Sequence, residues 1–359
     1  MMMRLSSSQF IGRRCVSFWQ RSYTEMSASK VENGSTLHRF KLIVAYNGNR
    51  YKGFQRQSSD GSPLDDTPAT EDSIPTAEET TTNPRKRPRS GNLPNKKVPL
   101  TIQESLEDAL EQYSGLNRQQ LRLRFAGRTD GGVHARGQVV AVSLPETILP
   151  ESNDELWSIR RSINGRLPQD ISIQDVSSLA NNPDLDPRKD AIRKRYSYTL
   201  KFRRKVVDSN GNVLPICSSG PNCIRSALDP KTLWVSPWTL DDSNLTKYCQ
   251  LLTGEHDYSA FVHKRSRREK DNVLTVDAFT YTCLEETKED APVVTIQFQV
   301  EAKGFRRGMV RNLVGFVVDL CRGEVSESIF DTIWSGTDEA ALAVHSAPPF
   351  GLCLEHVEY

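Results

Sequence analysis

The residues best suited to chemistry sit together at Arg128-Thr129-Asp130: a guanidinium, a hydroxyl and a carboxylate within three positions. They lie in Ala126–Gly137 (AGRTDGGVHARG), a stretch with four glycines. Glycine admits backbone angles that a side chain forbids, and it lets a second backbone approach closely. Arg128 and Arg136 bracket Asp130, so its carboxylate stands in positive surroundings. A hairpin connection needs about two to five residues, and this one has about a dozen. Long, ion-rich loops at strand ends are where binding and catalysis concentrate. An Asp beside Gly-Gly also serves plain turns, so the loop alone leaves both readings open.

The flanks of this loop read as strands. Leu121, Leu123 and Phe125 alternate with Arg122 and Arg124, the period of a half-buried strand, and Gln138–Leu144 reads as a strand buried on both faces. Phe40–Tyr46 (FKLIVAY) is a further strand, followed by a second glycine-punctuated loop, Asn47–Gln57. Thr101 with Glu104 spells a capping box, Ile102, Leu106, Leu110 and Tyr113 make an apolar stripe, and Gly115 stops the helix. Asn153–Ile163 has helical spacing ended by Asn164-Gly165, and Ile171–Val176 alternates as a strand. The order strand, helix, strand, strand, helix, strand then recurs. Arg193–Phe202 alternates, Asp241 caps a helix through Leu252, Val273–Thr282 and Val293–Ala302 are strands, Phe305–Cys321 is a helix and Leu352–Tyr359 a last strand. The fold class is α+β: two ferredoxin-like (split βαβ) halves, 36–180 and 181–359, joined into one mixed sheet with a central cleft.

Two residues of the second half join the candidate list. Arg311 lies in a helix that is apolar around almost its whole circumference, so it is buried. Its charge needs an anion, either Asp319 in a structural pair or Asp130 across the cleft. Tyr196, in Arg195-Tyr196-Ser197-Tyr198, is either a core aromatic or a ring that packs on a flat substrate. Arg188, in Asp186-Pro187-Arg188-Lys189, is either solvated or a grip on a polyanion.

Composition frames these elements. The chain has 359 residues, 37% hydrophobic and 26% charged, with a net charge of +2. It therefore announces no nucleic-acid partner as a whole, although Arg193-Lys194-Arg195, Arg203-Arg204-Lys205 and Lys264-Arg265-Ser266-Arg267-Arg268 are local basic clusters. Seven scattered cysteines form no Cys-x-x-Cys pair, although Cys217 and Cys223 are close. That pattern fits free thiols, and no spacing suggests a metal. No apolar run is long enough to span a bilayer. Residues 1–30 carry five basic residues, one acid and seven serines, the composition of an organelle transit peptide. The expected compartment is a mitochondrion or plastid, and a start at Met26 would leave a nuclear or cytoplasmic form. Residues 58–98 lack aromatics, are rich in Ser, Thr, Pro and acids, and end in the basic PRKRPR block; they read as a disordered insertion.

The loop around Asp130 resembles the signature of the TruA-type tRNA pseudouridine synthases. Six further stretches resemble that family's motifs in order: Tyr46-Asn47-Gly48 with Tyr51–Gln57 (YKGFQRQ), Leu167–Ile171 (LPQDI), Arg195–Tyr198 (RYSY), Leu252–Phe261 (LTGEHDYSAF), Gly308–Gly315 (GMVRNLVG) and Ala347–Leu352 (APPFGL). The likeness covers about residues 38–359 apart from the insertion. Three positions depart from it: Phe54 stands for a usual Trp, Gly308 for a usual His, and Arg306-Arg307 for an aliphatic or aromatic pair.

The resemblance implies an isomerase that converts a tRNA uridine, usually in the anticodon arm, to pseudouridine. It implies Asp130 as nucleophile, Arg311 as its partner and Tyr196 packed on the base. Arg128 and Arg188 would help extrude the uridine, with Arg56, Gln57, His134 and Arg136 among the RNA contacts. The partner is tRNA, a homodimer is common, and no cofactor, metal or membrane is called for. Two other classes remain on the residues alone. Ferredoxin-like sheets also serve as non-catalytic RNA-binding modules, but such a module has no use for a carboxylate in a basic loop. A metal hydrolase built on His134, His256 or Asp257 lacks a clustered ligand spacing.

Overall fold

The computed structural model describes residues 36–57, 101–150, 152, 155–205, 224, 226, 230–264, 267, 271–284 and 293–359. The transit-like N-terminus, the 58–98 insertion and Cys217 and Cys223 lie outside them.

Alternation builds the first strand. Phe40, Leu42, Val44 and Tyr46 of β1 (Leu37–Tyr46) are buried, and the residues between them are only partly so. Helix α1 (Ile102–Ser114) begins where Thr101 Oγ1 accepts from the Glu104 amide, and Gly115 ends it in the left-handed region at φ 72°. The chain next forms a single helical turn, α2 (Arg118–Leu121), under an Asn117/Gln120 capping box. Arg122 closes that turn with φ 45°, and only β2 (Arg124–Phe125) is strand. The expected strand from Leu121 is thus a helix end and its cap at Leu121 and Arg122, and strand only at Arg124 and Phe125. Leu121 and Leu123 are still buried, so burial imitated a strand's alternation. β3 (His134–Pro145) is buried at every position but Arg136 and begins four residues earlier than expected. Helix α3 (Leu156–Asn164) packs on β4 (Ile171–Ser178). Asn164 fastens the two, its side chain bonding both the amide and the carbonyl of Ile173.

The second half opens with β5 (Arg193–Arg204), whose Tyr196, Tyr198, Leu200 and Phe202 are buried as their spacing predicts. A strand unforeseen from the sequence, β6 (Trp234–Leu240), runs parallel to β5. Asp241 does not cap the next helix: its carboxylate accepts from Ser243, and α4 (Leu245–Leu251) starts after Asn244 without a side-chain cap. The run 273–282 is two strands. β8 (Val273–Val276) pairs with β7 (Gly254–Asp257) in a small ribbon, while β9 (Ala278–Cys283) joins the main sheet beside β10 (Val293–Ala302). Helix α5 (Met309–Cys321) starts later than expected because Gly308, at φ 75°, turns the chain just before it. β11 (Leu352–Glu358) ends the fold.

The strands form one mixed nine-stranded sheet, ordered β4-β1-β3-β11-β5-β10-β9, with β2 on β3 and β6 on β5. The last strand of the chain therefore lies in the middle. β11 runs parallel to β3 through Cys353↔His134 and Leu354↔Ala135, and antiparallel to β5 from Leu352↔Tyr198 to Glu358↔Arg193. One hydrophobic core runs beneath both sides of this seam. Gly137 makes the close approach possible, since a Cβ there would stand 2.3 Å from the Glu355 carbonyl oxygen of β11. Gly137→Ala must push the two strands apart, at an expected cost of about 1–3 kcal/mol. Denaturant unfolding reads this as a lower midpoint; a midpoint equal to wild type would refute the account of the seam.

Candidate active site

The Asp130 loop, between β2 and β3, is tied down at nearly every residue. The Ala126 amide donates to the Val139 carbonyl at 2.9 Å, and the Lys194 ammonium donates to the Ala126 carbonyl at 2.6 Å. Gln138 Nε2 donates to the Gly127 carbonyl at 2.7 Å. Thr129 Oγ1 shares a hydrogen bond with the buried Tyr46 hydroxyl at 2.8 Å. The Phe54 amide donates to the Thr129 carbonyl at 3.1 Å, and Gly53 forms a β-bridge with Asp130 itself. A Cβ at Gly53 would lie 2.7 Å from the Thr129 carbonyl oxygen, and its φ of +114° is glycine's own. The second glycine loop, 47–57, is thus a brace for the first. Its own brace is Asp170: the Tyr51 hydroxyl donates to that carboxylate at 2.6 Å, and the Asn47 amide to its carbonyl at 2.8 Å.

Across the β11 seam, α5 and the closing segment bring the counter-charge. Arg311 Nη1 lies 3.7 Å from Asp130 Oδ2, and Arg307 Nε lies 3.4 Å from Oδ1. The Arg311 side chain is 20% exposed, and its Nε donates to the Ala347 carbonyl at 2.7 Å. The Ala347 amide in turn donates to the Arg311 carbonyl at 3.0 Å. Gly315 lets this segment cross the helix, as a Cβ would stand 1.9 Å from the His345 carbonyl oxygen. Arg311 thus turns to Asp130, while Asp319 is occupied by Arg322 and His345.

Tyr196 is buried on β5 and meets Phe305 edge-on, with ring centroids 5.3 Å apart. Burial raises the pKa of its phenol, and the Asp130 carboxylate pushes the same way, which couples the two groups electrostatically. Lys194 is 92% buried by its 8% exposure, and burial lowers its pKa to about 8, with the Arg188 charge adding to the effect. The basic cluster 193–195 is therefore no free patch: Lys194 holds the loop, and Arg193 and Arg195 pair with Glu301. Likewise Arg204 pairs with Asp242 and Lys205 with Asp241.

The other candidates divide. Arg128 and Arg188 are exposed, on the Asp130 loop and close enough to Lys194 to act on it, respectively. Arg136 does not face Asp130; it pairs with Glu355 of β11 at 2.7 Å. Arg56 sits 3.1 Å from the buried Glu107 carboxylate, and Gln57 Nε2 donates to the Lys52 carbonyl. His134 is 3% exposed: its Nδ1 accepts from the Gly48 amide at 3.1 Å, and its Nε2 lies 3.0 Å from the Phe350 carbonyl. That arrangement selects the tautomer with the proton on Nε2. His256 stacks on Trp334, and the Asp257 carboxylate accepts from the Ser259 amide. Among the described residues no group of three His, Cys, Asp or Glu is set to hold a metal, and no helix is long and apolar enough to cross a membrane. Arg307 and Lys194 were not among the expected site residues: Lys194 lay in a basic cluster, and Arg306-Arg307 stood out only as a departure from the family pattern.

Fold and site define an α+β protein in which a carboxylate on a braced loop meets arginines carried from the far side of a mixed sheet. Comparison with known proteins gives this class its family. A model of the tRNA pseudouridine synthases matches residues 248–359. The chain is 31% identical over 263 residues to tRNA pseudouridine synthase A of Thermodesulfovibrio yellowstonii, spanning 72% of this chain and 90% of that protein. To the enzyme of the same name from Solidesulfovibrio magneticus it is 32% identical, across 90% of this chain and 92% of the relative. To that of Streptomyces avermitilis it is 33% identical, across 72% and 79%. The chain belongs to the tRNA pseudouridine synthase family.

The His134 environment makes a prediction. Burial lowers the pKa of the ring, the Phe350 carbonyl opposes this, and Arg136 adds to the lowering. A histidine held neutral in the fold contributes stability that is fully present above its unfolded pKa of about 6.5 and is lost as pH falls through the lower folded value. His134→Phe removes both hydrogen bonds and should cost about 1–3 kcal/mol at pH 7.5. The gap to wild type should narrow on going to pH 5.5, where wild type alone must protonate or unfold. A gap that stays constant between the two pH values would contradict it.

Proposed function

We propose that this protein isomerises a uridine of tRNA to pseudouridine, with Asp130 as the nucleophile. Membership of the family supports the reaction and the substrate. The observation that carries the residue assignment is the pairing of Asp130, on its braced loop, with Arg311 and Arg307. The reaction breaks the N1–C1′ bond of the nucleoside and forms a C5–C1′ bond, and a proton leaves C5 while N1 gains one. Electrons balance without an oxidant or a redox cofactor. A carboxylate suits the step because it attacks and then leaves readily. Tyr196 presents its ring to the uracil from the sheet side. A base within a stacked stem is out of reach of Asp130, so it must be extruded, with Arg128 and Arg188 gripping the strand it leaves.

Several finer readings accompany this one. The two sides of the β11 seam are read as ferredoxin-like halves, 36–180 and 181–359, with the RNA lying over the seam between them. The target lies in the anticodon arm, and the working assembly is a homodimer. Residues 1–35 address the chain to a mitochondrion or plastid, on their Arg- and Ser-rich, acid-poor composition.

Asp130→Asn keeps the shape and hydrogen-bonding reach of the side chain and removes its charge. Pseudouridine formation on a tRNA transcript should fall by about three orders of magnitude or more, while tRNA affinity holds or rises. Wild-type turnover by the variant, checked for deamidation by mass spectrometry, would falsify the assignment. Fusing residues 1–35 to a fluorescent reporter should concentrate it in the organelle; a diffuse reporter removes the transit reading.

A further inference from the structure

Two arginines meet one carboxylate, and they are not alike. Arg311 is part-buried and clasped to Ala347 through both its side chain and its backbone. The Arg307 side chain is 66% exposed, and among the described residues its one ion-pair partner is Asp130. Its backbone, by contrast, is fixed. The Arg307 carbonyl accepts from the His263 amide at 3.3 Å, the Met309 amide donates to the Arg306 carbonyl at 3.1 Å, and Arg306 Nη2 donates to the Asp271 carbonyl at 2.6 Å. Gly308 then turns the chain into α5. The result is a long, exposed cation on an anchored stem, with its Nε within reach of Asp130.

We propose that Arg307 is an exchangeable latch. In the RNA-free protein it holds Oδ1 of Asp130; when RNA binds, its guanidinium moves to a phosphodiester beside the target uridine and leaves Oδ1 to the substrate. The chemistry favours the exchange. An ion pair this exposed is weak, whereas guanidinium and phosphate form paired, charge-assisted hydrogen bonds. Charge points the same way: two guanidiniums and one carboxylate leave the site with one net positive charge for a polyanion. Arg311 cannot take this part, because its Nε is committed to Ala347. Arg307 is thus a positioning residue that sets when the carboxylate is free. The identity of its second partner rests on the proposed reaction with RNA.

A binding cycle tests the latch without reference to turnover. Dissociation constants for a tRNA transcript are measured across a range of KCl concentrations for wild type, Arg307→Ala, Asp130→Asn and the double variant. Because its side chain is exposed, the variants at Arg307 should unfold at the wild-type temperature, whereas Asp130→Asn also removes the anion of Arg311 and is compared only with the double variant; Arg307→Gln serves as a second neutral substitution. Loss of one phosphate contact should make the slope of log affinity against log salt shallower by about 0.7–0.9, and Arg307→Lys should restore it. In wild type, Arg307 must leave Asp130 before it meets phosphate, so part of its contribution cancels. Arg307→Ala should therefore weaken binding by about threefold more in the Asp130→Asn background than in wild type. An unchanged salt slope, or equal losses in both backgrounds, overturns the latch. Absence of pseudouridine from the wild-type reaction would instead overturn the proposed function, and the binding cycle would still decide the role of Arg307.

Discussion

The placement of β11 between β3 and β5 is the constraint on which the rest depends. Among the described residues no other strand pairs with both β3 and β5. β11 follows β3 and β5 at a long distance in sequence, so the centre of the sheet is built from segments remote from one another in the chain. The segment just before it does the joining. Ala347 clasps Arg311 on α5, the Pro348 carbonyl accepts from Tyr198 on β5, and the Phe350 carbonyl faces His134 on β3. Gly351 packs against the Tyr198 ring, where a Cβ would come within 2.6 Å. One short stretch thus fixes the distance between the carboxylate of one side and the guanidinium of the other.

The loop that carries Asp130 is held through its backbone, while Arg307 beside the carboxylate is exposed. Backbone carbonyls of the Asp130 loop are met by Lys194, Gln138 and the Phe54 amide, which leaves the loop little freedom to carry its carboxylate elsewhere. Hydrogen bonds of this kind hold a side chain in one geometry through its backbone. Lys194 shows the cost accepted for it: a buried ammonium is unfavourable, and its lowered pKa records that. Arg128, Arg188 and Arg307 are exposed cations near the loop.

The charge pattern of the chain is misleading when read along the sequence. Arg193 and Arg195 flank Lys194 and look like one basic patch, yet they point to Glu301 while Lys194 turns inward, because successive side chains of a strand alternate between faces. The same holds for Arg204 and Lys205, each answered by an aspartate. Arg136 flanks the Asp130 loop in sequence but faces β11, answered by Glu355.

Local order was legible in the sequence wherever a short-range cause sufficed. An apolar run marked β1 and alternation marked β5, the Thr101 cap and Gly115 marked both ends of α1, and an apolar stretch marked α5 as buried. The same argument required an anion for Arg311, with Asp130 as one of two answers. What failed were segments whose local pattern was imitated by burial or broken by one residue. Leu121–Phe125 alternates but begins as a capped helical turn, and Asp277 separates two strands that belong to different sheets. Only the tertiary structure decided which acid answers Arg311, that Arg307 joins it, that His134 is a buried tie between β3 and the closing segment, and that the last strand lies at the centre. Each of these is a contact between residues from about 150 to 220 positions apart in the chain, set by sheet pairing and core packing, and no periodicity or cap in a local window encodes such a contact.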